Sequence, residues 1–287
     1  MILKKYLKFF WLIIPTILAV TAFDYMVLYR DFDDSVSVSL TETVPDRYDS
    51  EKLQTMIEDF VSEKQGEWSV YVNALEDNCR AEVNNKQISP ASTIKLFNIA
   101  SYYNEVNNGN ISHSAENDSH LKEMITVSSN YDSNKVVSII GGGDFDKGAL
   151  TVTEFAHELG CTDTQEQNKL YDVSGPAWGK NYTSVRDCGI LLEKLYRGQC
   201  VSEEYDKKII NLLKKQERRW KIPSGLPEDI EIANKTGETS DIELDTAIVY
   251  SDRCDFVLCI AVTDFCSNTV YGEFGELACL VYDFFGN

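Results

Sequence analysis

The hydrophobic pattern changes character twice along the chain, and these changes outline its organisation. Leu53, Met56, Ile57, Phe60 and Val61 recur at helical spacing and form one apolar stripe. Gly66 closes that segment. Two strand-like runs follow, at 68–74 and 80–83, joined as a hairpin by the polar turn Glu76-Asp77-Asn78. From Ser92 to Lys215 the period is mostly helical. Glu154-Phe155-Ala156 lie in one helix, which Gly160 stops, while Val185, Cys188, Leu192 and Leu195 stripe another, and Tyr205, Ile209 and Leu212 a third. Residues 161–183 have no clean period and contain Gly175, Pro176 and Gly179, so they read as a long loop.

Strands resume at 230–236, 246–250 and 256–262. The last is apolar at every position, the pattern of a strand covered on both faces. Phe274, Leu277, Val281 and Phe284 fall at helical spacing and supply a cover. The prediction is an α/β fold: five strand runs drawn from both ends of the chain, helices on both faces, and an all-helical subdomain at about 91–224 inserted between them. The segment 49–287 is long enough to bury a full core as one domain, and no internal repeat is present.

The first thirty residues are of another kind. Lys4, Lys5 and Lys8 precede an uncharged run from Phe9 to Phe23, broken by Asp24 and resumed to Tyr29. Positive charge before an apolar run orients the remainder outside the cytoplasm. Val20-Thr21-Ala22 has the small residues a signal peptidase accepts, whereas the run through 9–29 is long enough to anchor in a membrane. Both readings export the globular part, tethered in one case and secreted after Ala22 in the other. Residues 31–48, acidic and rich in Ser and Thr, read as a tether.

A formal charge of −19 excludes nucleic acid as a partner, because phosphate binding needs clustered Lys and Arg. His113, His120 and His157 stand in no ligand-like spacing with cysteines, so neither a metal nor another cofactor is expected. Eight cysteines in an exported protein permit disulfides. Cys259 and Cys279 read as core positions. Cys79 and Cys254 fall in polar turns, and they are the first pair to consider if their hairpins share one end of the sheet.

Three short strings carry the chemistry. Ser92 lies between Pro90 and a helical run, at a helix start where free N–H groups favour developing negative charge. Lys95 is three residues on, so its amine returns to the same helix face. A lysine can activate a serine if its amine is neutral, and burial or a second cation such as Lys235 would make it so. Ser128 and Asn130 stand at a junction between helical runs, where a hydroxyl can relay a proton and an amide can hold a carbonyl. Lys235-Thr236-Gly237 ends a strand, whose edge can bind an extended peptide while a following N–H stabilises an oxyanion.

In this order the strings resemble the serine β-lactamase and penicillin-binding-protein superfamily, most closely the class A β-lactamases. Ser-Pro-Ala-Ser-Thr-Ile-Lys-Leu-Phe, Met-Ile-Thr-Val-Ser-Ser-Asn and Ile-Ala-Asn-Lys-Thr-Gly-Glu all read like family segments. The resemblance implies an antiparallel five-stranded sheet of the β-lactamase/transpeptidase type. It makes Ser92 the acylated nucleophile, Lys95 its proton acceptor and Ser128 the proton donor to the leaving nitrogen. Asn130 would bind the substrate's amide side chain, Lys235 and Thr236 its carboxylate, and the N–H groups of Ser92 and Glu238, beyond Gly237, would form the oxyanion hole. The expected partner is a β-lactam or a cell-wall peptide, and a monomer is expected.

Three departures qualify the resemblance. Ser129 replaces the usual Asp, the interval from Ser92 to Ser128 is short, and the long loop lacks the family's Glu-x-x-Leu-Asn string. Leu170 falls where the deacylating glutamate should stand, with Glu166 and Asp172 nearby. The resemblance therefore implies a class A-like serine hydrolase whose acyl-enzyme on Ser92 forms and persists, with β-lactam hydrolysis slow; a DD-peptidase-like penicillin-binding protein is the alternative enzyme. A catalytically silent cell-envelope binding module is the alternative without an enzyme.

Overall fold

The computed structural model describes residues 47–170, 181–265 and 270–286. The apolar run at 9–29 lies outside them, as do Asp172 and most of the acidic tether. Among the described residues no helix is long and apolar enough to cross a membrane.

Helix α1 (Ser50–Ser62) starts at Asp49, whose carboxylate accepts from the N–H groups of Glu51 and Lys52. Strands β1 (Glu67–Ala74) and β2 (Arg80–Val83) form the first hairpin. The chain then enters the helical layer, α2 (Ile94–Asn107), α3 (Ala115–Thr126), α4 (Asn130–Ile140), α5 (Phe145–Glu158), α6 (Val185–Tyr196) and α7 (Glu203–Leu213). It returns through β3 (Glu231–Glu238), β4 (Ile242–Tyr250), β5 (Phe256–Thr263) and α8 (Val270–Gly286).

The sheet order is β2-β1-β5-β4-β3, antiparallel throughout. β1 pairs with β5 from Glu67↔Thr263 to Ala74↔Phe256, which joins the N-terminal hairpin to the C-terminal meander. β5 shows why its sequence does not alternate. Phe256, Leu258, Ile260 and Val262 pack into the cluster under α1 and α8, whereas Val257, Cys259 and Ala261 face the helical layer. α2 is buried at every residue from Ile94 to Tyr103 and so forms the axis of that layer.

Several expectations need correction. β4 begins at Ile242 rather than Thr246, because Glu243 and Asp245, charges that suggest a turn, are buried in the strand. Asp245 accepts from Asn234 Nδ2 (3.0 Å) and Ile222 N (3.1 Å), and Glu243 pairs with Lys221 Nζ (2.7 Å). Cys259 is in the core, but Cys279 is exposed, since the buried stripe of α8 runs through Phe274, Leu277, Ala278, Val281 and Phe285. The turns of Cys79 and Cys254 do share one end of the sheet: Ala74 N bonds Cys79 O, and Leu75 N bonds Asp255 O. No disulfide joins them. Cys254 is a thiol, pushed up to about 11 chiefly by burial.

Candidate active site

Ser92 sits in a short 3₁₀ turn, Ala91–Thr93, that runs directly into α2. Thr93 is buried and its hydroxyl donates to Pro90 O at 2.7 Å, which holds the turn. Ala91 before it has a left-handed φ of 44°, and Ser128 across the cleft has 66°. Such conformations are uncommon for residues with a Cβ and cluster at functional sites. Their effect here is to bring two serines to one lysine.

Lys95 is fully buried. Its Nζ lies 2.8 Å from Ser92 Oγ, 2.7 Å from Asn130 Oδ1, 2.9 Å from Ser128 O and 3.2 Å from Ser128 Oγ. A neutral amine has two N–H donors and one lone pair. The two pure acceptors, Asn130 Oδ1 and Ser128 O, take the donors, which leaves the lone pair for the Ser92 hydroxyl. Burial, then the charges of Lys235 and Arg218, hold Lys95 well below the usual lysine range. The sequence-predicted pair is therefore in direct contact, in surroundings that disfavour the charged form of the lysine.

The middle string is built differently from the family pattern. Ser129 caps α4: its Oγ accepts from Asp132 N at 3.2 Å, and its hydroxyl donates to the Asp132 carboxylate. Asp132 also meets His120 Nδ1 at 2.6 Å. The capping contact orients the helix start, so that Asn130 and Ser128 face Lys95 without an Asp at position 129.

β3 is the edge strand of the sheet, paired only with β4 among the described strands. Lys235 Nζ donates to Ser128 Oγ and Thr236 O, each at 2.9 Å. Burial and the Arg218 guanidinium lower Lys235 to about 7, with Asp245 opposing them. Asp245 itself is pushed up to about 6 by burial. Thr236 Oγ1 is buried with no hydrogen-bond partner among the described residues, so its hydroxyl is uncommitted. A Cβ added at Gly237 would stand 2.8 Å from Pro90 O and 3.2 Å from Ser92 N, so glycine is what lets β3 close on the serine turn. Glu238 follows, its carboxylate 3.4 Å from Arg218 and 3.7 Å from Lys221.

All eight predicted residues thus belong to two facing walls, one from Ser92, Lys95, Ser128 and Asn130, the other from Lys235 to Glu238. Sequence reasoning missed the cations around them. Lys221, fully buried, donates to Gly237 O (3.1 Å) and Leu244 O (2.9 Å) and so braces the end of β3. Arg218 acts on both cleft lysines. The only signal for either was the basic string Arg218-Arg219-Trp220-Lys221. Leu170 is docked on α4, its N–H donating to Asn134 Oδ1 (2.8 Å) and its carbonyl accepting from Asn134 Nδ2 (3.0 Å).

A five-stranded antiparallel sheet, a serine turn leading into a buried helix that carries lysine, and a Lys-Thr-Gly edge strand define the class of serine β-lactamases and penicillin-binding proteins. The chain belongs to the β-lactamase enzyme family, whose model matches residues 51–118 and 115–285. It is similar in structure to PBP-A (TM-score 0.74, 21% identity, 84% of this chain and 98% of that one). A PBP-A L158E mutant in an acyl-enzyme complex with penicillin G gives 0.74 and 20%, over 85% and 99% of the two chains. A β-lactamase from Sphaerobacter thermophilus gives 0.71 and 16%, over 83% and 98%. At these identities the likeness is one of fold. No curated protein matches the sequence.

Proposed function

We propose that this protein is an exported, membrane-tethered serine hydrolase that is acylated on Ser92 by β-lactams or D-Ala-D-Ala peptides and releases the acyl group slowly. The observation that carries the reading is the 2.8 Å contact of a buried, depressed-pKa Lys95 with Ser92 Oγ. Neutral Lys95 takes the Ser92 proton as Oγ attacks the carbonyl carbon. The resulting oxyanion is held by the N–H groups of Ser92 and Glu238. When the carbon–nitrogen bond breaks, the leaving nitrogen takes a proton from Ser128 Oγ, which is replenished from Lys95 or Lys235, the two amines beside it. Lys235 and Thr236 receive the substrate carboxylate, and Asn130 its amide.

Slow release is supported by Leu170. An aliphatic side chain there cannot take a proton from a hydrolytic water. The activity is accordingly closer to a penicillin-binding DD-peptidase than to an efficient β-lactamase. A fluorescent penicillin should label the wild type and leave Ser92→Ala unlabelled. Intact mass followed over time should show one adduct per chain that decays slowly. An unlabelled wild type overturns the proposal, and rapid multiple turnover of nitrocefin overturns its second half.

A further inference from the structure

Glu166 is absent from the chemistry above, yet it is only 3% exposed. It lies on the loop after α5, in the stretch that leads to Leu170. Its backbone is pinned to α5 by Thr153: Glu166 N–H donates to Thr153 Oγ1 (3.0 Å), and the Thr153 hydroxyl donates to Glu166 O (3.1 Å). Its Oε1 accepts from Asn181 Nδ2 at 3.3 Å. Its Oε2 is buried with no hydrogen-bond partner among the described residues, and so is Asn98 Oδ1. The Asn98 amide reaches this carboxyl from α2, one turn beyond Lys95, while its Nδ2 donates to Ser133 Oγ at 3.1 Å.

Glu166 Oε2 and Asn98 Oδ1 are both buried acceptors without a partner among the described residues, which is costly, and a proton on the carboxyl would let Glu166 donate to the Asn98 oxygen. Turning the Asn98 amide over would offer Glu166 an N–H instead. That arrangement leaves a buried anion whose counter-charge is Lys95, and a Lys95 acting as base carries no charge. Burial pushes the Glu166 carboxyl up to about 8, against the opposing influence of Asn98, Lys95 and Asn181. Among the described residues, Lys95 on α2 is the one titratable group acting on it; α5 presents Thr153, and the loop presents Asn168 and Asn181.

We infer that Glu166 is a positioning residue, a neutral carboxylic acid that bridges Asn98 and Asn181, clamps the Leu170 loop to the lysine helix and denies Lys95 a buried anionic neighbour. The inference rests on the reading of Lys95 as the base. Ionising Glu166 would favour protonated Lys95, and acylation would then fall on the alkaline side.

Glu166→Gln tests this, because its amide can donate to Asn98 Oδ1 and accept from Asn181 but cannot ionise. With carbon-13-labelled glutamate, difference infrared spectroscopy of the wild type should show a protonated carboxyl band at neutral pH. The band should disappear on alkaline titration and be missing from Glu166→Gln. The sign for stability follows from linkage: the unfolded carboxyl ionises near pH 4, the folded one at about 8. Between these values the unfolded chain binds fewer protons, so wild-type stability falls as pH rises. Glu166→Gln should therefore melt higher than wild type, by a margin that widens from about pH 5 to about pH 8 and then levels. Its penicillin acylation should stay within about twofold of wild type at neutral pH and lack the alkaline decline. Absence of the wild-type band at neutral pH overturns the inference, as does a tenfold or greater loss of acylation in a folded Glu166→Gln. The infrared and melting arms need no acylation, so they decide the state of Glu166 even if the penicillin experiment on the wild type fails.

Discussion

Lys95 and Lys235 meet at one hydroxyl, Ser128 Oγ, which lies 3.2 Å from the first amine and 2.9 Å from the second. Each is fully buried, and each is lowered first by loss of solvation and then by neighbouring positive charge. The consequence at the residue scale is a site held together at the expense of stability. Lys235 titrates at about 7 in the folded chain and near 10.5 when unperturbed. Between those values the unfolded chain binds the extra proton, so the penalty is full below about pH 7 and fades as pH rises towards 10.5. Lys235→Met is therefore expected to raise the melting temperature by a few degrees at about pH 6 and by little at about pH 10. The same variant should slow acylation by carboxylate-bearing penicillins by roughly 10- to 100-fold, through loss of the cation. Melts at the two pH values, paired with labelling rates, check both halves. A larger stabilisation at the alkaline pH would contradict the assigned sign.

At the scale of elements, the cleft is a contact between the edge of β3 and the 3₁₀ turn that begins α2. Neither piece is held by main-chain pairing to the other. Close approach depends on Gly237, and the position of the strand end depends on Lys221, whose ammonium spans Gly237 O, Leu244 O and the Glu243 carboxylate. A methyl group at position 237 meets backbone atoms rather than a flexible side chain, so relief requires the strand or the serine turn to move. Gly237→Ala should cost about 1–3 kcal/mol of stability. It should also lower the acylation rate by at least about tenfold, because displacement of reacting groups by even about 1 Å is costly. Thermal unfolding and the rate of penicillin labelling measure the two effects, and an unaltered rate would mean that the contact does not set the cleft width.

At the scale of the whole molecule, β5 joins the two ends of the chain and separates two hydrophobic layers. α8 closes one of them through Phe274, Leu277, Val281 and Phe285. Ending the chain after Thr263 should leave that sheet face bare and abolish cooperative unfolding, as followed by calorimetry or limited proteolysis. A truncated chain that melts cooperatively would show that the cover is dispensable. Much of this architecture was legible beforehand. The stripe of α1, the unbroken apolar run of β5 and the Ser-x-x-Lys, Ser-x-Asn and Lys-Thr-Gly strings are local patterns, and local spacing decides which side chains share a face. The start of β4, the exposure of Cys279 and the roles of Lys221, Arg218 and Glu166 were not legible. Burial of a charge depends on partners distant in the chain: Asp245 on Asn234 and Ile222, Glu243 on Lys221, Glu166 on Asn98 and Asn181. The sequence by itself determined the fold class and singled out the residues proposed to form an acyl-enzyme. Only the tertiary structure decided the protonation states proposed for them, because those follow from desolvation and from charges that the chain brings together only when folded.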